Sequence, residues 1–265
     1  MTTPIVERLV TLFKETASLA EADRWLRDLN YKKLEGKNKA ADTLTLVLNL
    51  LNEEFLPNNI RADRVDSDGL WLKDSDSNEL SWSDMSDGYR AALALLTDIL
   101  RHMINAYGTD DLTGRDADRH LFIKPGGVVL IDEIDAHLHP EWQREIGFWL
   151  KRHFPNIQFI VTSHSPLICQ AADPNGLFVL PEPGSDEPAR VLTPEEYQEV
   201  ISSRPDTILR SAAFGLQNTR SPVAVEARSA FADLRTKQRA GGKLTQAELV
   251  EMERLRQYIN PDEEP

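Results

Sequence analysis

Between Ile5 and about Phe55 apolar residues recur at helical spacing, first as Leu9, Leu12 and Phe13 and then as Leu44, Val47, Leu48, Leu51 and Phe55. That period predicts two or more helices. The polar, basic stretch YKKLEGKNKAAD between them reads as a connection, with Gly36 near a helix end. Pro57 stops the second helix, and residues 62–82 (ADRVDSDGLWLKDSDSNELSW) alternate short apolar pieces with turn residues. A hairpin around Asp68 and Gly69, with an acidic tip in solvent, is the expected result.

A further helix is predicted from Gly88 to Tyr107, because Leu93, Leu96, Ile99, Leu100 and Met103 share one face and no proline interrupts them. Its amino end begins at Ser86. Downstream, GGVVLIDE reads as a strand buried on both faces, EWQREIGFWLKRHF as a helix with Trp142, Phe148 and Trp149 on its core face, and IQFIVTS as a second buried strand. Strand, helix and strand in that order imply a parallel βαβ unit. GLFVL and ARVL suggest short edge strands, and from Pro194 onward the pattern is helical, punctuated by Pro205, Pro222 and the Gly241-Gly242 pair. The expected division is a helical region with the acidic hairpin over 1–80, an α/β core over 81–187 and a helical accessory lobe over 188–265.

Composition narrows the function classes. The chain of 265 residues is 41% hydrophobic and 28% charged, ordinary values for a folded protein. Thirty Lys and Arg against 43 Asp and Glu leave a net charge of -13, which repels phosphate backbones. DNA contact therefore needs a local basic patch, for which Arg235, Lys237, Arg239 and Lys243 are the candidates, or a partner; the alternative for that cluster is a solvated helix-turn. The single cysteine, Cys169, excludes an internal disulfide and a cysteine-rich zinc site. No apolar run approaches the ~20 residues of a membrane span, and MTTPIVERLV lacks a signal-peptide layout. A cytoplasmic protein with no membrane contact is expected.

Three places carry candidate chemistry. Val128 to Ile131 lead into Asp132 and Glu133, which puts two carboxylates at the carboxyl end of a parallel strand, where open α/β sheets bind ligands. In a nucleotide site the first would hold Mg²⁺ and the second would activate the attacking water; otherwise the pair simply ends a strand. The second strand ends in Thr162, Ser163 and His164, where the imidazole could meet a γ-phosphate or the attacking water, or stand beside a helix cap. Ser86 and Gly88 open the long helix, as an anion cradle or as an ordinary cap. His137 and His139 near Asp135 invite a metal reading, with a structural role as the alternative.

The order of these segments resembles ABC-type ATPases of the SMC and RecF class, and more narrowly the bacterial AAA-like ATPases of anti-phage systems such as Septu and some retrons. MSDGYRAALALLTDIL is similar to their signature motif, VVLIDEIDAHLHPEWQ to their Walker B strand and D-loop, and IVTSHSPLI to their switch-histidine segment. The resemblance covers about Ser81 to Ala172. It implies Asp132 as the Mg²⁺ carboxylate, Glu133 as catalytic base, Asp135 as the D-loop acid, His164 as the switch histidine, and Ser86 and Gly88 as signature residues touching ATP. It further implies ATP and Mg²⁺ as cofactors, a second ATPase subunit in a homo- or heterodimer, and a nuclease partner. The implied fold class is α/β, a parallel-sheet P-loop-NTPase-like core, incomplete at the amino end, with helical flanking segments. A phosphate loop needs G-x-x-x-x-G-K followed by Ser or Thr. Gly36-Lys37-Asn38 and Gly242-Lys243-Leu244 both fail that pattern. Two functions remain in view: an ATP-hydrolysing module acting through dimerisation, or a non-catalytic regulatory or scaffold subunit, or truncated gene product, offering only its signature motif in trans.

Overall fold

The computed structural model describes residues 15–259; the apolar positions at Leu9, Leu12 and Phe13 lie outside them. Helices α1 (Glu15–Leu34) and α2 (Asn38–Leu51) flank Gly36 and bury the apolar faces their spacing implies, with Leu26, Val47, Leu50 and Leu51 fully inside. Strands β1 (Arg61–Asp66), β2 (Gly69–Lys73) and β3 (Glu79–Ser81) form an antiparallel sheet in that order. The first hairpin turns between Asp66 and Gly69, where Gly69 adopts φ 102°, a backbone open to glycine. Helix α3 (Asp87–Tyr107) follows, and Leu93, Leu96 and Leu100 along one side are fully buried. All of these elements share one apolar core with the downstream segment.

After the small hairpin of β4 (Thr113–Arg115) and β5 (Leu121–Ile123), strand β6 (Gly127–Ile131), helix α4 (Pro140–His153) and strand β7 (Ile157–Val161) make the expected βαβ unit. Strands β6 and β7 pair in parallel, with Leu130 opposite Ile160 and Ile131 opposite Val161. The expectation that both strands are buried on both faces is overturned. Val129, Ile131 and Phe159 pack against the core, whereas Val128, Leu130 and Ile160 are 61%, 63% and 51% exposed. Successive residues of a strand point to opposite faces, and the described residues supply a covering layer to only one of them. Phe148 is likewise 45% exposed although Trp142 and Trp149 are buried, because it sits one residue, roughly 100° around the helix, from Trp149.

Helix α4 is anchored by its tryptophans. Trp142 Nε1 donates to the Phe55 carbonyl at 3.2 Å, Trp149 Nε1 donates to the Glu53 carbonyl at 2.7 Å, and both rings pack on Phe55. The short helix α5 (Pro166–Cys169) and the hairpin of β8 (Phe178–Val179) and β9 (Arg190–Val191) lead to α6 (Pro194–Ser202). The chain forms two compact units, Met1–Ser202 and Ser203–Pro265. The division falls later than the sequence pattern suggests, because α6 stays with the first unit: Tyr197 donates its hydroxyl proton to the Ala172 carbonyl and Val200 is fully buried. The second unit holds α7 (Pro205–Arg210), α8 (Pro222–Arg239) and α9 (Gln246–Arg256), with Phe231 and Leu255 in a small core and a Thr245–Glu248 capping box opening α9. Within its basic cluster, Lys237 pairs with Glu248 at 2.6 Å. No helix among the described residues is long and apolar enough to cross a membrane.

Candidate functional site

The carboxyl ends of β6 and β7 bring the predicted acids and the histidine segment together. The parallel register ends with Ile131 opposite Val161, so the next pair is Asp132 beside Thr162. Thr162 uses every polar group it has on residues 131–134. Its N–H donates to the Ile131 carbonyl at 3.0 Å and its carbonyl accepts from the Ile134 N–H at 3.1 Å. Its hydroxyl donates to the Asp132 carboxylate and accepts from the Glu133 N–H, the latter at 2.7 Å. Asp132 and Glu133 both reach solvent, and Glu133 holds φ 48°, a left-handed conformation that costs a non-glycine residue about 1 kcal/mol or more.

The loop that follows β6 is tied to the same strand end. The Asp135 carboxylate accepts from the Ser163 hydroxyl at 2.5 Å and from the His164 N–H at 3.2 Å. From α4, the Gln143 side-chain amide donates to the Asp135 and Leu138 carbonyls and accepts from the Ser165 hydroxyl at 2.8 Å. Because α4 is held by Trp142 and Trp149, this glutamine fixes the loop to the rigid part of the molecule. The sequence pattern places Thr162 at the strand end without assigning it a role, and it does not single out Gln143. The role of Thr162 was findable, as that of a hydroxyl residue one step past the strand and opposite the first acid; no local pattern marks Gln143. Nearby, burial first and then the Asp135 charge push the Cys169 thiol up to about 11, which keeps it protonated and inert at neutral pH.

Ser86 and Gly88 lie elsewhere, in a cleft of about 540 Å³ that Tyr89, His137, His139 and Trp142 also line. Ser86 occupies the N-cap position of α3, is exposed, and makes no side-chain capping bond, so its hydroxyl is not consumed by the helix. Gly88 serves its own chain: a Cβ there would stand 2.6 Å from the His137 carbonyl oxygen. His137 adopts φ 61°, and His139 caps α4 by accepting from the Glu141 N–H at 3.4 Å. The structural role of His139 is thereby explicit, and no group of three or more His, Cys, Asp or Glu among the described residues could hold a metal ion.

The donor set suits Mg²⁺ in one way only. Magnesium is commonly held by one or two carboxylates together with phosphate oxygens and water. Asp132, exposed and oriented by Thr162, could supply such a carboxylate, with the remaining ligands from nucleotide and water.

A parallel βαβ unit with an acid pair at one strand end and a Thr-Ser-His run at the next fits an α/β, P-loop-NTPase-like fold. The chain belongs to the family described as "AAA domain, putative AbiEii toxin, Type IV TA system", which it matches over residues 2–170. It is 38% identical to the "Retron Ec83 probable ATPase" of Escherichia coli over 130 residues, 48% of this chain and 22% of that protein. It is 31% identical to "Septu protein PtuA" of Bacillus mycoides (strain KBAB4) over 212 residues, 80% of this chain and 26% of that protein. It is also 31% identical to "Septu protein PtuA" of Bacillus thuringiensis over 181 residues, 67% of this chain and 43% of that protein. The chain thus spans less than half the length of these curated relatives. A solved structure from a study of ATP-driven dimerization and DNA stimulated activation of SMC ATPases aligns at 19% identity and a TM-score of 0.41, covering 62% of this chain and 94% of that one.

Proposed function

We propose that this chain carries the hydrolytic acids, switch histidine and signature of an AAA/ABC-like ATPase, working in a bacterial defence system of the Septu or retron kind. The observation that carries the reading is the stitching of Asp132, Glu133 and Asp135 to the Thr162-Ser163-His164 run at one end of a parallel strand pair. Asp132 would hold Mg²⁺, which would supply positive charge to neutralise nucleotide phosphates. Glu133 would take the proton of the attacking water, and His164, exposed at the neighbouring strand end, would orient that water or the terminal phosphate.

The phosphate loop comes from a polypeptide segment outside this sequence, which also covers the open face of β6 and β7. Val128, Leu130 and Ile160 on that face give such a segment an apolar surface to bury. Ser86 and Gly88 sit in a cleft that none of Asp132, Glu133 or His164 lines, which supports their touching nucleotide held by a second subunit. ATP binding then closes a dimer, homo- or heteromeric, and the closure controls a nuclease partner, whose DNA contact is aided by the basic residues Arg235 to Lys243.

The test is Glu133→Gln in an assembly of this chain with a P-loop-bearing homologue or upstream fragment, the P-loop-bearing segment of the proposal. Removing a general base while keeping its shape acts on the chemical step, so turnover should fall by about 10² or more while Mg-ATP binding persists. Unchanged turnover removes Glu133 from the role of base.

A further inference from the structure

We infer that Thr162 is the positioning residue of the acid pair: its hydroxyl sets Asp132 and Glu133 in the single arrangement that the proposed hydrolysis uses. The inference rests on the reading of that pair given above, and its observation is separate. The backbone groups of Thr162 already tie the strand end to Ile131 and Ile134, whatever the side chain. The hydroxyl adds two bonds, and both go to the acids: one to the Asp132 carboxylate, one from the Glu133 N–H.

Its geometric effect falls on two dihedral choices. A carboxylate that accepts from a fixed hydroxyl cannot swing freely about its Cβ, so Asp132 presents its other oxygen in a constant direction. The left-handed backbone of Glu133, at φ 48°, is unfavourable on its own, and the hydrogen bond from its N–H offsets that cost. Relaxing Glu133 toward the ordinary right-handed or extended regions would redirect its side chain, and a displacement of about 1 Å in a catalytic group can reduce rate 10²-fold. Ser163 performs the parallel task for Asp135, so the Thr-Ser pair orients successive acids from one strand end.

Valine has the shape of threonine without the hydroxyl, and serine keeps the hydroxyl without the methyl, so the two substitutions separate packing from positioning. In the full chain, labelled with ¹⁵N, Thr162→Val should speed solvent exchange of the Glu133 amide at least ten-fold with the thermal midpoint unchanged, and Thr162→Ser should exchange as the native chain does. Glu133 exchange within two-fold of native in Thr162→Val overturns the inference. In the assembly with the P-loop-bearing segment, Thr162→Val should lower kcat ten-fold or more at constant KM for ATP, with serine restoring it. A rise in KM alone also overturns it. Should the native assembly fail to hydrolyse ATP, the ATPase reading falls, and the exchange measurement still decides whether Thr162 positions the pair.

Discussion

His153 puts an imidazole in the core that the proposed chemistry does not use, and its surroundings contrast with those of the other histidines. His164 faces solvent at a strand end and His139 caps a helix, whereas His153 is fully buried, its ring tilted against that of Trp149 at 4.3 Å, with Nδ1 donating to the Leu121 carbonyl at 2.5 Å. Nε2, where a second proton would go, has no hydrogen-bond partner. Burial therefore holds the group below the ordinary histidine range, and the Leu121 carbonyl only partly counters it. The sign follows directly. An unfolded chain takes up this proton near pH 6.5, before the folded chain does, so the stabilisation is complete above about pH 6.5 and declines as pH falls toward the lowered folded value. Denaturant titrations from pH 8 to pH 5 should show the native chain losing stability more steeply than His153→Gln, whose amide can still donate to Leu121. Equal slopes for the two proteins would exclude His153 as a source of the acid sensitivity.

Helix α3 shows how an element can carry two demands at one residue. Gly88 reads from sequence as the place where a phosphate comes close to the backbone, and in the structure the position that a Cβ would take lies against the His137 carbonyl. Gly88→Ala should consequently force apart the start of α3 and the His137 turn, costing about 1–3 kcal/mol by overpacking and visible as a lowered thermal midpoint in the chain without nucleotide. An alanine variant as stable as the native chain would free Gly88 from this packing role. Many elements are legible: the period of Leu93, Leu96 and Leu100 fixes α3, Pro205 and Pro222 start α7 and α8, and Asp68-Gly69 marks the hairpin, whereas the short β4–β5 hairpin reads only as a polar loop. The placement of the acids at the end of β6 was legible for the same reason, since an apolar strand running into polar residues shows where it leaves the sheet. What the pattern could not give was layering. Val128 and Leu130 are as apolar as Val129 and Ile131, and a continuous apolar run states that both faces want cover without saying which chain provides it. Nor could it give Gln143, whose bonds to the Asp135 and Leu138 carbonyls depend on where α4 lies in space.

For the molecule as a whole, the open face of β6 and β7 and the missing phosphate loop are two views of one proposed arrangement. A net charge of -13 gives no general attraction for a triphosphate, and the P-loop amides and lysine that ordinarily cradle phosphates have no counterpart in this sequence. Calorimetry of the purified chain with Mg-ATP should accordingly give no tight binding. The apolar outward residues then become the means of completing the site, because burying a leucine or isoleucine contributes about 1.5–3 kcal/mol, whereas a lysine in its place brings a charge that must be desolvated. Leu130→Lys changes a side chain that is 63% exposed and should leave the fold of the chain intact, with circular dichroism and thermal midpoint as in the native protein. Its association with the P-loop-bearing segment should weaken ten-fold or more, and ATP turnover by the mixture should fall in proportion. Micromolar Mg-ATP binding by the native chain alone, or full association after Leu130→Lys, would mean that the nucleotide is held by some other part of this molecule and that the sheet face has a different use.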